Sequence, residues 1–284
     1  MRKINKKGIF SFIGSFIIIL VLIILLTRVF SLVFSSVFKL FTNEKILLEN
    51  KMIILLLSTL GELLAGLIFL KFIWKKSLAY VWIKKEKSFA YFSKGFLLGF
   101  IQISIFLIIN LALANVSFKS VNKDILNIYF ILYLIGFIIQ STSEEFLVRG
   151  LLMKYLSEKF STKIALFVPA IIFGLLHLAN PGVTLVSTIN TMLVGILYGI
   201  MLLKTENLLF TCGAHSAWNF TMGIVYGLPV SGLGDMKHLF TFDFINKKAL
   251  GGIYGPEGTF LVCIILFVSI LYFYFYKKRG IENG

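Results

Sequence analysis

A group of five ionisable side chains lies inside, or at the end of, stretches that are apolar enough to cross a lipid bilayer. They are Glu144, Glu145, Arg149, His177 and His215. Ionisable groups at membrane depth are costly to bury and tend to mark functional sites. Two adjacent carboxylates, a guanidinium and two imidazoles are the groups that proton transfer or metal binding requires. We therefore expect this cluster to carry the function of the chain.

The spacing of the two glutamates gives them different roles. Glu145 and Arg149 are four residues apart, one helical turn along the same face, which suits a buried carboxylate–guanidinium pair. Glu144 is rotated by about 100° from that face and is left available for chemistry. We assign Arg149 to Glu145, because direct pairing with Glu144 would oppose a role for Glu144 as a base.

Each histidine also has a partner four residues away. The Phe173 ring is placed to pack beneath the His177 imidazole, fix its rotamer and keep the site dry. Asn219 is placed beside His215, so that two hydrogen-bond donors lie on one helix face. Such a pair of donors can stabilise a developing oxyanion.

The composition indicates the kind of protein that positions these residues. Of the 284 residues, 58% are hydrophobic and only 14% are charged. These values are typical of a polytopic membrane protein and exclude an ordinary soluble domain. The net charge of +15 comes mainly from the connections between apolar runs. It therefore reflects membrane topology and does not predict a nucleic-acid partner.

The apolar runs predict an all-α bundle of about eight transmembrane helices, in a single membrane domain over residues 1–284. The predicted spans are 8–33, 52–73, 95–114, 125–147, 164–178, 183–203, 208–228 and 259–276. The catalytic core is expected over about 125–226. Glu62, also at membrane depth, is interpreted as a helix-packing hydrogen-bond partner. His238, in a connection, is interpreted as incidental.

Basic residues set the expected orientation of the chain. They flank both terminal spans, as Arg2, Lys3, Lys6, Lys7, Lys277, Lys278 and Arg279. The positive-inside rule then predicts that both termini are cytoplasmic, as are the lysine-rich connections before the third span and after the fourth. The long connection 229–257 falls outside, where a lid or a substrate contact is conceivable. We expect a multi-pass protein of the cell membrane.

The distances along the predicted helices allow the cluster to meet near the middle of the membrane. Glu144 lies about 15–22 Å from the cytoplasmic end of its helix, at 1.5 Å per residue. His177 lies about 21 Å and His215 about 14 Å from the corresponding ends of their helices. Three helices can therefore bring these groups together.

At these residues the sequence resembles the CAAX proteases and bacteriocin-processing enzymes, also called the CPBP or Abi family, and in particular the type II CAAX prenyl endopeptidases. The family's Glu-Glu-x-x-x-Arg is matched by Glu144, Glu145 and Arg149. Its Phe-x-x-x-His is matched by Phe173 and His177, and its His-x-x-x-Asn by His215 and Asn219. The resemblance covers roughly 125–226.

The resemblance implies an intramembrane glutamic endopeptidase that needs no cofactor or metal. In this reading Glu144 and His177 activate a water molecule, while His215 and Asn219 form the oxyanion hole. Glu145 completes the catalytic set, and Arg149 and Phe173 give structural support. The expected substrate is a hydrophobic peptide or a membrane-anchored protein. The abundance of Ile, Lys, Phe and Asn suggests an AT-rich bacterial genome, in which prenylated CAAX proteins are not expected. We therefore favour a leader, a pheromone precursor or a bacteriocin as the substrate.

Other functions remain open from the residues alone. Glu144, His177 and His215 could instead supply a zinc site of a metalloprotease, although no His-Glu-x-x-His helix is present. Intramembrane Glu, His and Arg would also serve a proton-coupled transporter. A bacteriocin immunity protein, catalytic or not, is a third alternative. Cys212, three residues before His215, could act as a nucleophile but is better interpreted as a small packing residue.

Overall fold

The computed structural model describes residues 6–84, 86–234 and 236–276. Within these ranges the chain is a bundle of helices, joined on one side by a small two-stranded sheet. The α-helices are α1 Lys6–Phe41, α2 Glu44–Glu49, α3 Lys51–Ser58, α4 Leu60–Ile68, α5 Ser88–Ala112, α6 Ile128–Glu145, α7 Lys154–Lys159, α8 Thr162–Leu176, α9 Leu185–Thr205, α10 Leu208–Phe220 and α11 Phe260–Phe275. The all-α membrane bundle is thus confirmed.

A helix occupies each of the eight predicted apolar stretches, but their lengths differ. Five helical segments are long and apolar enough to cross a membrane. They are Phe16–Phe41, Lys51–Ile73, Ser88–Ala112, Ile128–Lys159 and Leu185–Thr205. Thr162–Leu176 and Phe260–Phe275 are apolar but shorter. The basic residues at the two ends that predict their orientation, Arg2, Lys3, Lys277, Lys278 and Arg279, lie outside the described residues.

Three helices continue as π-helical segments, which are wider than an α-helix. These segments are Phe69–Ile73 after α4, Phe146–Met153 after α6 and Thr221–Val225 after α10. The second joins α6 to α7, so the predicted span 125–147 is part of one rod that runs to Lys159. Two of these wide segments follow Glu145 and Asn219 almost directly. Such π segments frequently occur at functional sites.

Helices α5 and α10 pack closely because glycine faces the partner backbone on both helices. A Cβ atom at Gly95 or Gly99 would run into the backbone carbonyl of Phe210 or Ala214, and one at Gly213 into that of Phe92. Small residues allow membrane helices to approach in this way. The contact fixes α10, which carries His215 and Asn219, against the rest of the bundle.

The small sheet was not part of the sequence prediction. Strand β1, Val116–Val121, pairs antiparallel with β2, Phe240–Phe244, through a register that includes Ser117 opposite Asp243. It ties the connection after α5 to the connection after α10, so both lie on the same side of the bundle. The paired residues are more than 100 positions apart, and no local pattern in either connection predicts the pairing.

Candidate functional site

The residues singled out from the sequence surround one large cavity inside the bundle. Its volume is about 1410 Å³, and its wall includes Phe173 together with Glu144, His177, His215 and Asn219. Much of the remaining wall is aliphatic or aromatic and comes from α1, α3 and α6 to α9. Pockets of this kind, mostly apolar with a few convergent polar groups, are the usual form of a binding site.

Glu145 and Arg149 form the buried ion pair expected from their spacing. Arg149 Nη1 donates to Glu145 Oε1 at 3.0 Å, and the two side chains are 0% and 1% exposed. The guanidinium also lies over the Phe173 ring at 4.6 Å and the Tyr198 ring at 5.6 Å. Cation–π contacts of this kind compensate part of the cost of taking a guanidinium out of water. The pair thus forms a fixed charged layer behind the cavity wall.

His215 links that ion pair to the cavity. Its Nδ1 lies 3.1 Å from Glu145 Oε1, and its Nε2 lies 3.9 Å from Glu144 Oε2. The imidazole is therefore held between two carboxylates, one on each ring nitrogen. When Nδ1–H donates to Glu145, Nε2 can donate only if the ring is an imidazolium.

Glu144 keeps one oxygen available, as its position on the helix suggested. Gln140 Nε2 donates to Glu144 Oε1. Among the described residues, Oε2 is buried without a hydrogen-bond partner. Buried polar atoms in native proteins are nearly always satisfied, so this oxygen, 3.9 Å from His215 Nε2, requires a further hydrogen-bond donor.

Gln140 is a site residue that the sequence reasoning missed. Its amide connects Glu144 to Asn219, because Asn219 Nδ2 donates to Gln140 Oε1 at 3.2 Å. This bond uses one of the two hydrogens of the Asn219 amide and leaves the second. The four-residue spacing between Gln140 and Glu144 is a signal that could have identified it.

The position of His177 fixes which of its nitrogens can act as a base. Its Nδ1 lies 2.8 Å from the Phe173 carbonyl oxygen, an acceptor, so Nδ1 carries the proton and Nε2 of the neutral ring is an acceptor. The Phe173 and His177 rings are 4.7 Å apart between centroids, as the spacing predicted.

The predicted span 164–178 reaches slightly beyond α8, which stops at Leu176 with His177 as its C-cap. Pro181 follows closely, and proline disfavours helix in the residue before it. His177 therefore lies at a helix end, with its ring held against Phe173. The same Phe173 ring meets the His215 ring edge-on at 6.2 Å, so the two imidazoles share one aromatic neighbour.

Two carboxylates that the sequence reasoning did not place in the site also line the cavity. Glu62 of α4 accepts a hydrogen bond from Ser143 Oγ at 3.2 Å. This agrees with a helix-packing role, but Ser143 directly precedes Glu144, so Glu62 also lies beside the site. Glu257, at the end of the connection 229–257, is the second carboxylate.

Glu257 is 9% exposed and both of its carboxylate oxygens accept hydrogen bonds. Trp218 Nε1 donates to Oε1 at 3.2 Å, and Ser231 Oγ donates to Oε2. The pKa of the Glu257 carboxyl is raised above its ordinary value by burial, and the hydrogen bond from Ser231 and the charges of His177 and His215 offset only part of that rise. No spacing signal marks this residue, because its partners are distant in sequence.

Cys212 and His238, the other two residues considered from the sequence, have contacts that suit packing roles. Cys212 is fully buried in a cluster with Phe146 and Leu208. His238 lies in the connection after α10, where its Nδ1 faces the Met236 carbonyl oxygen at 2.9 Å. In the part of the chain that the structure describes, no three His, Cys, Asp or Glu side chains are grouped as a metal site.

Comparison with known proteins identifies the segment that holds most of this geometry. Residues 126–221 match the family model described as type II CAAX prenyl endopeptidase Rce1-like. No curated protein and no solved structure matches the chain. The matched segment contains α6, α8, α9 and α10 with every motif residue described above. The match supports a likeness to the CAAX proteases over about a third of the chain, and the five long apolar helices support a multi-pass membrane protein.

Proposed function

We propose that this protein is an intramembrane glutamic endopeptidase, which hydrolyses a peptide bond of a hydrophobic or membrane-anchored substrate. The observation that carries the proposal is that Glu144 and two histidines with defined ring orientations line one largely apolar cavity, while the buried Glu144 Oε2 has no hydrogen-bond partner among the described residues. The family match over 126–221 supports a protease of the CAAX type.

The reaction begins with a water molecule held between Glu144 and His177. As the oxygen of this water bonds to the scissile carbonyl carbon, Glu144 Oε2 takes one of the two water protons. The acquired proton then passes from Glu144 to the amine nitrogen as the carbon–nitrogen bond breaks. His177 Nε2 orients the water and accepts the second proton when the new carboxylic acid ionises. General acid–base steps of this kind contribute typically about 10²–10⁴-fold in rate.

The tetrahedral intermediate carries a negative oxygen that needs hydrogen-bond donors. An imidazolium at His215 supplies Nε2–H, and Asn219 supplies the amide hydrogen that Gln140 does not use. Glu145 stabilises the positive charge of His215 through Nδ1, and Arg149 holds Glu145 in place. Removing one donor of an oxyanion hole typically costs about 10²–10³-fold in kcat.

The substrate class follows from the walls of the cavity. They are mostly aliphatic and aromatic, and residues of the lipid-exposed helix α1 form part of them. An apolar peptide segment can therefore leave the bilayer for the cavity without exposing itself to water. A leader peptide, a pheromone precursor or a bacteriocin has this chemistry.

The test is cleavage of a quenched hydrophobic peptide library by purified protein in detergent, with and without a strong chelator. We expect cleavage by the wild type that is indifferent to chelator. His177→Ala should lose about 10²–10⁴-fold in kcat/KM. The matched control His238→Ala, a histidine outside the cavity, should keep wild-type activity.

Three outcomes would contradict this account. Loss of activity with chelator would move the assignment to a zinc peptidase. Equal activity of His177→Ala and wild type would remove this histidine from the mechanism. Absence of cleavage by folded protein across a broad library would favour an immunity or transport function.

A further inference from the structure

Glu257 is connected to both histidine-bearing segments, although it lies outside the segment that matches the family. Its Oε1 accepts from Trp218, three residues after His215 on α10. Its Oε2 accepts from Ser231, whose carbonyl oxygen in turn accepts from Asn180 Nδ2 at 2.8 Å. Asn180 is three residues after His177. The carboxylate therefore bridges the chain segments that position the two imidazoles.

The backbone around Glu257 is built to hold the side chain in this place. Gly255 has φ 89°, a conformation that side chains with a Cβ rarely adopt, and a Cβ there would run into the carbonyl of Pro229. Asn190 Nδ2 of α9 donates to the carbonyl oxygens of Glu257 and Thr259, each at 2.8 Å. A turn fixed in this manner presents the carboxylate to the cavity in one orientation.

The two hydrogen bonds to its oxygens stabilise the ionised form of the Glu257 side chain. Both Trp218 Nε1 and Ser231 Oγ act as donors, and a carboxylate is an acceptor only. The carboxylate shares one cavity with both imidazoles, which also flank the same Phe173 ring. Because the attraction between charges is mutual, a negative Glu257 favours a positive ring nearby.

We propose that Glu257 is a positioning residue of the active site, whose buried negative charge favours the imidazolium form of His177. The inference rests on the proposed function, in which His177 accepts a proton. Glu257 would thus assist the step in which the new carboxylic acid ionises, without contacting the substrate itself.

His177 faces other ionisable groups, and the effect of Glu257 must be separated from theirs. Those on the same cavity wall or directly behind it are Glu62, Glu144, Glu145, Arg149, Tyr155, Lys159, Tyr198 and His215. The variant Glu257→Gln leaves all of them unchanged. A glutamine keeps the shape and can still accept from Trp218, so the variant removes the charge and little else.

The first test needs no substrate. Diethyl pyrocarbonate acylates neutral imidazole, and mass spectrometry resolves its rate at each of the three histidines as a function of pH. In Glu257→Gln we expect the pH midpoint for His177 to fall by about 0.5–1 unit. His238, outside the cavity, should keep its midpoint and acts as an internal reference. An unchanged His177 midpoint in folded Glu257→Gln would overturn the proposal.

Two further variants separate charge from packing. Ser231→Ala removes one hydrogen bond but keeps the carboxyl group, so the His177 midpoint should move by less than in Glu257→Gln. Glu257→Met, neutral and of similar volume, replaces the glutamine variant if that one does not fold. A shift in Ser231→Ala as large as that in Glu257→Gln would assign the effect to packing and contradict the proposal.

The pH profile of cleavage then connects the charge to the reaction. Glu257→Gln should move the acidic limb of kcat/KM to lower pH, in the same direction as the acylation midpoint. A shifted acylation midpoint with no cleavage by the wild type would refute the proposed function and leave the electrostatic coupling intact. If Glu257→Gln is active and the acidic limb of its pH profile is unshifted, only the role of Glu257 in the reaction is refuted, and the proposed function stands.

Discussion

Glu145 and Arg149 hold opposite charges in a part of the protein that water does not reach. Their side chains are 0% and 1% exposed, and His215 Nδ1 shares the oxygen of Glu145 that Arg149 binds. Breaking a buried pair by removing one partner leaves an uncompensated charge in a medium of low dielectric constant. We therefore expect the free energy of unfolding to fall when either partner alone is replaced, and to fall much less when both are made neutral.

Arg149→Met is expected to lower the free energy of unfolding by about 3–5 kcal/mol. Adding Glu145→Gln should recover most of that loss, because the carboxylate that lost its guanidinium is then neutral and the His215 ring can release its proton. Unfolding of the purified variants in detergent measures both effects. The matched control is Lys154→Met, which breaks the Lys154–Glu158 pair of the same spacing at 22% and 42% exposure. That change should cost about 0.5 kcal/mol or less.

An Arg149→Met variant as stable as the wild type would contradict this account of the pair. So would a double variant less stable than the single one, since the remaining charge would then not be the cause of the loss.

At the scale of single residues, the sequence predicts contacts within one helix and misses those between helices. The Glu145–Arg149 and Phe173–His177 contacts follow from a spacing of four, which places side chains on one face of any helix. Glu62 and Glu257 reach the cavity only because α4 and the connection before α11 pack there. Nothing local in the sequence specifies that packing.

Helix α10 shows how an element positions the site. Its glycine and alanine backbone contacts with α5 place its axis close to that helix, and the π segment Thr221–Val225 follows directly after Phe220. His215 and Asn219 are thereby presented from a helix that is almost entirely buried. Precise sites are better supported by rigid elements of this kind than by loops.

Gly99→Leu is expected to destabilise the protein by about 3 kcal/mol and to reduce activity, because the added side chain must displace α10. A Cβ atom at this position runs into the backbone carbonyl of Ala214. The control is Gly14→Leu in α1, where an added Cβ meets nothing within 4 Å. Thermal unfolding in detergent measures both variants. Equal stability of Gly99→Leu and Gly14→Leu would show that the α5–α10 contact is not tight.

At the scale of elements, the apolar runs predict where helices lie but not where they end. The fourth predicted span stops at residue 147, whereas the helical rod continues to Lys159, since amphipathic turns beyond the apolar run remain helical. The β1–β2 pairing and the π segments depend on partners outside their own sequence. Periodicity alone therefore could not predict them.

At the scale of the whole molecule, the described residues form an apolar bundle with a cavity that reaches both halves of it. At one end the wall includes Trp74 and Lys159, and at the other it includes Ser231 and Glu257. The β1–β2 sheet places the connections after α5 and α10 on the same side. In the orientation that the basic residues predict, that side faces away from the cytoplasm.

We expect a cysteine at Ser120, on the exposed edge of β1, to react with a membrane-impermeant thiol reagent in intact cells. A cysteine at Lys87, in the lysine-rich connection before α5, should react only after permeabilisation. The native Cys212 and Cys263 are first replaced by alanine. The reverse pattern of labelling would invert the predicted orientation.

The central claim is that Glu144 activates the water that attacks the peptide bond. It is tested most directly by comparing the single-turnover cleavage rates of Glu144→Gln and Glu158→Gln in lipid vesicles, on a peptide that the wild type cleaves. Glu158 lies on the same helical rod but is 42% exposed and outside the cavity wall. We expect a loss of about 10²–10⁴-fold in Glu144→Gln and a wild-type rate in Glu158→Gln. A folded Glu144→Gln protein that cleaves at the wild-type rate would contradict the account.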